Sequence, residues 1–168
     1  MSPAHKELLL RLAGCCCPHL TPVPVSDAEP LLAQGCEHRR AARYLFTPNL
    51  PLWNARYHDH VFAFHVDELN FDTLAQCHNI ALDKGMAQFN PAAKHSATCI
   101  TAVILCDSAQ TDALEALVRF KKRSGHPLTF AAKLDYRLVT VNLADGQVVC
   151  NRRARKFKTA LQTQLSEY

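Results

Sequence analysis

The sequence predicts a mixed α/β protein in which helices cover a central sheet, and three observations lead to this class. The β-branched apolar run at 98–106 is typical of a strand buried on both faces. Amphipathic stripes at 71–88 and 111–123 predict helices before and after it. Asp145-Gly146 is a strong hairpin-turn signal between two further apolar runs. A central mixed sheet follows, since strands that alternate with helices favour parallel pairing and a hairpin adds antiparallel strands.

The first fifty residues carry weaker signals. Residues 4–13 form an amphipathic pattern that predicts a short helix, with Gly14 as its stop. The segment 15–30 contains four prolines and predicts irregular, extended chain. A short helix is expected at 36–45. We expect 1–50 to be an N-terminal helix plus a Pro/Cys-rich segment that packs on the core or precedes it.

From about residue 54 the predicted element order is β-α-β-α-β-β-β-α, within one α/β domain spanning 51–168. The expected strands, of which the first is a single strand or a hairpin, lie at 54–67, 98–106, 128–134, 136–143 and 147–150. The expected helices lie at 71–88, 111–123 and 152–165. Thr111 is the expected N-cap of the second of these helices, because a hydroxyl can accept a bond from the first turn.

Positive charge is concentrated near the C-terminus. Residues 119–158 carry eleven basic and two acidic side chains, whereas the rest of the chain is net acidic. An exposed basic face releases counterions from nucleic-acid phosphates, so this pattern predicts a polyanion-binding surface. The alternative is an ordinary solvated helix face. The polyanion-binding candidates are Arg152, Arg153, Arg155, Lys156, Lys158, Lys121, Lys122 and Arg123.

Two acidic residues close neighbouring predicted strands. Asp67 ends the first strand and Asp107 ends the second, so both reach the carboxyl edge of a parallel sheet, where α/β proteins place their sites. With Glu68 or Asp72 they would hold Mg²⁺ for phosphate chemistry. The alternative is that these are turn and capping residues.

Histidine and cysteine pairs predict two further metal sites. His58 and His60 lie two apart on a strand and therefore share one face, with a third ligand from His78, His95 or Asp59. Separately, the Cys-x-His pairs Cys17/His19 and Cys36/His38 contain the ligand types of a tetrahedral zinc site. Neither set is a complete metal-binding signature.

Nucleophilic catalysis has one weak candidate. Cys106 lies at an expected strand-to-helix turn, where a helix N-terminus lowers a thiol pKa. The Gly-x-Ser-x-Gly, phosphate-loop and dinucleotide motifs are absent from the sequence.

Eight cysteines without a Cys-x-x-Cys pair indicate free thiols in a reducing cytoplasm. No apolar run approaches the roughly 20 residues of a membrane helix, which predicts a soluble protein. The stretch Leu12-Ala13-Gly14-Cys15 resembles a bacterial lipobox, but Glu7 and Arg11 interrupt the apolar segment that should precede it. The same two charges suit an exposed helix face.

Three functions remain open from the sequence. The first is a non-catalytic binding protein whose basic C-terminal helix contacts a polyanion such as nucleic-acid backbone. The second is a hydrolase or phosphoryl-transfer enzyme that uses a divalent metal with the strand-end aspartates and the His-x-His pair. The third is an interaction adaptor that docks through its first fifty residues. The oligomeric state is not predicted.

Overall fold

Seven strands form one mixed sheet, and four α-helices cover its two faces, in the part of the chain that the computed structural model describes. That part comprises residues 3–24, 29–44, 51–89, 96–120, 123–124 and 133–167. The strands are β1 (Leu20–Pro22), β2 (Leu31–Tyr44), β3 (Pro51–Leu69), β4 (Ser96–Ala109), β5 (Arg123–Ser124), β6 (Lys133–Asn142) and β7 (Gln147–Cys150). The helices are α1 (Pro3–Gly14), α2 (Phe71–Met86), α3 (Thr111–Arg119) and α4 (Arg155–Ser166), and a 3-10 turn at Arg152–Ala154 leads into α4.

The centre of the sheet is parallel and its flanks are antiparallel. The strand order is β1-β2-β3-β4-β6-β5, and β7 also pairs with β6. The β3/β4 and β4/β6 pairs are parallel, and the other four pairs are antiparallel. The predicted mixed α/β class is therefore confirmed, and the order of elements from residue 54 agrees with the prediction, although β5 begins within the helix expected at 111–123.

Strand alternation divides the core into two layers. On one face, odd-numbered residues of the parallel strands, such as Val103 and Leu105, pack with α1 and α4. On the other face, even-numbered residues, such as Ile104 and Phe64, pack with α2 and α3. The central strand β4 is buried on both faces because helices cover both, which explains its continuous apolar sequence.

Two asparagines position the helices on the sheet. Asn70 and Thr73 form a reciprocal capping box that begins α2 directly after β3. Buried Asn151 accepts bonds from the backbone N–H groups of Ala154, at 3.1 Å, and of Leu138, at 3.3 Å. Asn151 thus ties the start of the C-terminal helical segment to β6.

The prediction of a helix at 36–45 is wrong, because residues 36–44 are the second half of β2. It pairs with β3 in continuous antiparallel register from Ala33 to Arg43, and this cross-strand bonding overrides the weak local preference for helix. The segment 15–30, predicted to be irregular, contains the short strand β1. The segment 54–67, predicted to be a strand or a hairpin, lies in the single strand β3.

The helix predicted at 111–123 differs from α3 at both ends. Gln110 is the N-cap of α3 rather than Thr111, and the helix ends at Arg119 rather than at 123. Residues 128–132 of the next expected strand lie outside the described residues, and β6 begins at Lys133.

The described residues before Pro51 contribute to the same sheet and core. Leu8, Leu9 and Leu12 of α1 are fully buried against the odd-numbered face, and β2 pairs with β3. None of the helices in the described ranges is long and apolar enough to cross a membrane.

Candidate functional site

Three side chains from three elements converge at the carboxyl edge of the parallel strands. His5 is on α1, His65 is near the end of β3, and Asp107 is near the end of β4. Asp107 Oδ1 lies 3.3 Å from His5 Nδ1 and 3.2 Å from His65 Nε2. One ligand atom from each residue lies within 4.8 Å of the others. We call these three residues the edge trio.

The spacing of the edge trio suits a metal ion. Ligand atoms bound to one ion at about 2.1 Å lie roughly 3.0–3.4 Å apart at octahedral or tetrahedral angles. The two distances to Asp107 fall in that range. The side chain of His65 is 7% exposed, whereas those of His5 and Asp107 are 32% and 44% exposed. The trio is therefore anchored in the protein on one side and open to solvent on the other.

Of the two predicted strand-end aspartates, only Asp107 belongs to the edge trio. Asp67 and Asp107 lie on parallel neighbours at the same sheet edge, as their strand-end positions require. Asp107 belongs to the edge trio, whereas Asp67 is exposed and its backbone carbonyl accepts a bond from Ser108. Glu68 accepts a bond from Gln110, and Asp72 is exposed in the first turn of α2.

The structure brings the His58/His60 pair together with half of the predicted Cys/His set. In the β2/β3 ladder, Cys36 is opposite His60 and His38 is opposite His58. These four residues therefore lie on one face of the sheet, and we call them the cross-strand cluster. The two ring Nδ1 atoms of His38 and His58 are 2.7 Å apart, and His38 Nε2 is 3.6 Å from Cys36 Sγ. His38 thus bridges a thiol and a second imidazole.

Burial affects the chemistry of this cluster. His60 is 2% exposed, and burial lowers its pKa, with further lowering from His58 and His38. Burial also raises the pKa of the half-buried Cys36 thiol, as do Cys17 and Asp59 to a smaller degree.

The remaining predicted metal ligands lie elsewhere. Cys17 is buried against Gly35, on the opposite face from Cys36, and His19 is exposed. Asp59 faces away from His58 and forms an ion pair with Arg137. The ring of His78 packs against Phe120 and Tyr136, and His95 lies outside the described residues.

Cys106 is a core thiol. It is 0% exposed, and its Sγ contacts Thr140 Oγ1 at 3.6 Å and the Val141 carbonyl at 3.5 Å. Burial raises its pKa to about 11, opposite to the lowering expected at a helix N-terminus. Because β4 continues to Ala109, α3 begins too far along the chain to activate this sulfur.

The basic residues of the C-terminal helix face solvent. The predicted polyanion-binding side chains at its start, Arg152, Arg153, Arg155, Lys156 and Lys158, are all exposed. Arg153 Nε is 3.6 Å from Asp135 Oδ1, and Lys156 Nζ lies 4.6 Å from the centroid of Phe157. Lys121 and Lys122 lie outside the described residues, and Arg123 is in β5 without a described side chain.

Two of these cations border a groove of about 760 Å³ between α3 and α4, whose floor is β7. Arg155 and Lys158 line one wall, and Val118 and Arg119 line the other. Arg153, just before α4, forms an ion pair with Asp135, which is opposite Cys99 in the β4/β6 ladder. Cys99 and Asp107 lie on the same strand, about 26 Å apart along it, and this distance separates the start of the C-terminal helical segment from Asp107. The basic face and the edge trio are therefore separate sites.

A family comparison covers most of this architecture. The profile of a domain of unknown function, DUF8052, matches residues 25–163, well over half of the chain. The chain belongs to the DUF8052 family. No curated protein and no solved structure matches it.

The DUF8052 match contains the cross-strand cluster together with His65 and Asp107, whereas His5 precedes it. Sequence reasoning missed His5 and His65 as site residues. His65 could have been found from the sequence, because it lies two residues before Asp67 on the predicted strand and therefore points to the same face near the strand end. The pairing of His5 with Asp107 left no local signal, because it joins elements about one hundred residues apart.

Proposed function

We propose that this DUF8052 protein binds a divalent metal ion through the edge trio and uses it as a Lewis acid in a hydrolytic or phosphoryl-transfer reaction. The observation that carries the proposal is the convergence of two imidazole nitrogens and one carboxylate oxygen within 4.8 Å of one another. Two histidines and one carboxylate form a recurrent ligand set for catalytic first-row metals.

Three protein ligands leave coordination positions open for water and for a substrate oxygen. The exposed sides of His5 and Asp107 provide access to those positions. The carboxyl edge of parallel strands is also where α/β proteins place their reacting groups, because the strand ends diverge there into loops. These features support a catalytic ion in preference to a closed structural one.

Manganese binding tests the proposal, because Mn²⁺ favours nitrogen and oxygen ligands and its free-ion paramagnetic resonance signal disappears on binding. We expect the chelator-treated protein to bind Mn²⁺, and His65→Gln and Asp107→Asn each to weaken binding by at least about 100-fold. Asp67→Asn is the matched control, since it removes a carboxylate from the same sheet edge outside the trio. Equal affinity in all variants would contradict the proposal.

Activity is tested with an activated phosphodiester in the presence of Mn²⁺. Turnover that is lost in His65→Gln and retained in Asp67→Asn supports the hydrolytic role. Tight Mn²⁺ binding without turnover on phosphate or carboxylic esters would restrict the proposal to metal binding. If the trio is only an ion-paired bridge between α1 and the sheet, the same substitutions lower stability with no effect on Mn²⁺.

We propose polyanion binding by the start of α4 as a second function. Arg152, Arg155, Lys156 and Lys158 are exposed at a helix N-terminus, where the helix dipole makes cations unfavourable unless an anion accompanies them. Nucleic-acid backbone would satisfy this face and extend into the groove beside Arg155 and Lys158.

Oligonucleotide titration at several salt concentrations tests this second function. Reversing Arg155 and Lys158 to Glu should weaken binding and reduce the slope of log affinity against log salt by about 0.9 for each phosphate that the protein no longer neutralises. Lys6→Glu places a reversed charge on the exposed side of α1 as the control. An unchanged slope in the double variant would overturn the polyanion proposal.

We infer a reducing compartment, the cytoplasm, for this protein. All eight cysteines lie within the described residues, and each is a free thiol. Five of them are buried, where a free cysteine packs as a small apolar residue.

A further inference from the structure

We propose that the cross-strand cluster, Cys36, His38, His58 and His60, is a zinc site separate from the edge trio. It would take Zn²⁺ through one thiolate and three imidazoles, a ligand set outside the function proposed above. Its two pairs come from neighbouring antiparallel strands, and each residue is opposite another member of the set.

The sheet brings the four side chains into one small patch. Opposite residues of an antiparallel pair have Cβ atoms about 4.5–5.5 Å apart, and residues two apart on a strand are separated by about 6.8 Å. All four side chains project from the same face because they share strand parity. In the described residues only the edge trio has three ligand atoms within 4.8 Å of one another, so an ion at this patch requires the side chains of the cluster to rotate toward one another.

The existing contacts already link three members. The 2.7 Å separation of the Nδ1 atoms of His38 and His58 requires an N–H of one ring to donate to the nitrogen of the other, and a metal ion can replace the shared proton. Two nitrogens bound to tetrahedral zinc lie roughly 3.3 Å apart, so the rings need to separate by about 0.6 Å. His38 would bind the ion through one ring nitrogen. Its Nε2, which now lies 3.6 Å from Cys36 Sγ, would release that contact so that the Cys36 thiolate binds the metal directly.

The donors separate this site chemically from the edge trio. Sulfur and imidazole nitrogen select zinc and similar ions, whereas a set with a carboxylate also suits harder ions such as Mn²⁺. His65 follows His60 by five residues on β3, about 17 Å along the strand, so one ion cannot bridge the two sites. The exposed edge of the cluster at His38 gives the ion a path from solvent.

Cobalt substitution tests the proposal on the full chain, because thiolate bound to Co²⁺ produces a sulfur-to-metal charge-transfer absorption that nitrogen and oxygen ligands cannot. We expect this band in the wild-type protein and in His65→Gln, which disables the edge trio. Cys36→Ser should abolish the band, and Cys15→Ser, which alters an exposed cysteine outside the cluster, should retain it.

Zinc competition against a chromophoric chelator gives a second, independent measurement. His58→Gln should weaken zinc binding at the cluster by at least about 100-fold, so that the chelator removes one equivalent of Zn²⁺ that the wild-type protein retains. His19→Gln is the matched control, since His19 is exposed and outside the cluster. Absence of the charge-transfer band in the wild type, or its persistence in Cys36→Ser, would overturn the proposal. Loss of Mn²⁺ binding alone would bear on the edge trio and leave this site intact.

Discussion

Arg137 of β6 reaches across the intervening strand β4 to Asp59 of β3, and its Nη1 lies 3.7 Å from Asp59 Oδ1. Both side chains are largely buried, at 14% and 5% exposure. The guanidinium also lies over the ring of Phe157, which links this ion pair to α4. The pair thus connects two strands that are not neighbours and the helix that covers them.

Replacing Arg137 should destabilise the fold strongly. Arg137→Met keeps much of the side-chain packing but leaves the buried Asp59 carboxylate without this cation, so we expect a loss of about 3 kcal/mol in the free energy of unfolding. Urea denaturation measures the loss. Arg119→Met is the control, because Arg119 pairs with Glu115 on an exposed helix face and should cost no more than about 0.5 kcal/mol. Equal small losses in both variants would contradict this role for Arg137.

The close approach of α2 to β4 depends on Gly85. A Cβ at this position would collide with the Ile100 side chain, which is fully buried. We expect Gly85→Ala to destabilise the protein by about 1–3 kcal/mol through overpacking, although alanine favours helix.

Gly14, the last residue of α1, provides the contrast. A Cβ at this position would have open space around it to 4 Å, so Gly14→Ala should be neutral or stabilising by up to about 1 kcal/mol. Thermal and urea unfolding of both variants test the pair. A destabilisation of Gly14→Ala equal to that of Gly85→Ala would show that packing on Ile100 is not the cause.

Buried thiols should make the protein less stable at alkaline pH. Burial raises the pKa of Cys77 from 9.0 to about 12. Between these values the unfolded chain has released a proton that the folded chain retains, so the free energy of unfolding falls with rising pH by about 1.4 kcal/mol per pH unit for this thiol. Well below pH 9 the thiol is protonated in both states and adds no pH dependence.

Cys77→Ala isolates this contribution. The stability difference between wild type and variant should narrow as the pH rises above 9, in urea titrations at about pH 8, 9.5 and 10.5. Cys15→Ala, at an exposed thiol, should change the slope much less. A constant difference across the three pH values would mean that Cys77 ionises equally in both states.

Alkylation should separate the cysteines by exposure. Cys15 is exposed, whereas Cys16, Cys77 and Cys99 are buried and burial raises each of their pKa values to about 12. We expect iodoacetamide to modify Cys15 first in the native protein and the three buried thiols only after unfolding, as mapped by peptide mass spectrometry. Native labelling of Cys99 at the rate of Cys15 would place that side chain at the surface.

Local periodicity was enough to predict much of the fold. The strand at 98–106, the helix at 71–88 and the Asp145-Gly146 turn each depend on residues that are close in sequence. Gly146 adopts a φ of 65°, the left-handed conformation that glycine allows and that a tight turn between β6 and β7 uses. These elements could be predicted because their chemistry is local.

The second half of β2 shows where local information ends. Residues 36–44 have no strong hydrophobic period of their own, and their conformation is set by hydrogen bonds to β3, about twenty residues later. The same pairing places His38 opposite His58. Two half-sites that are unrelated along the sequence therefore become one cluster through strand register.

The sequence by itself determined the element order from residue 54, the buried central strand and the basic character of the last helix, because periodicity and charge act over a few neighbouring residues. Tertiary structure alone decided that His5 meets His65 and Asp107, and that Cys36 and His38 lie beside His58 and His60. The physical reason is that parallel strand order and antiparallel register are set by long-range hydrogen bonding and core packing, which bring together side chains that have no spacing rule along the chain.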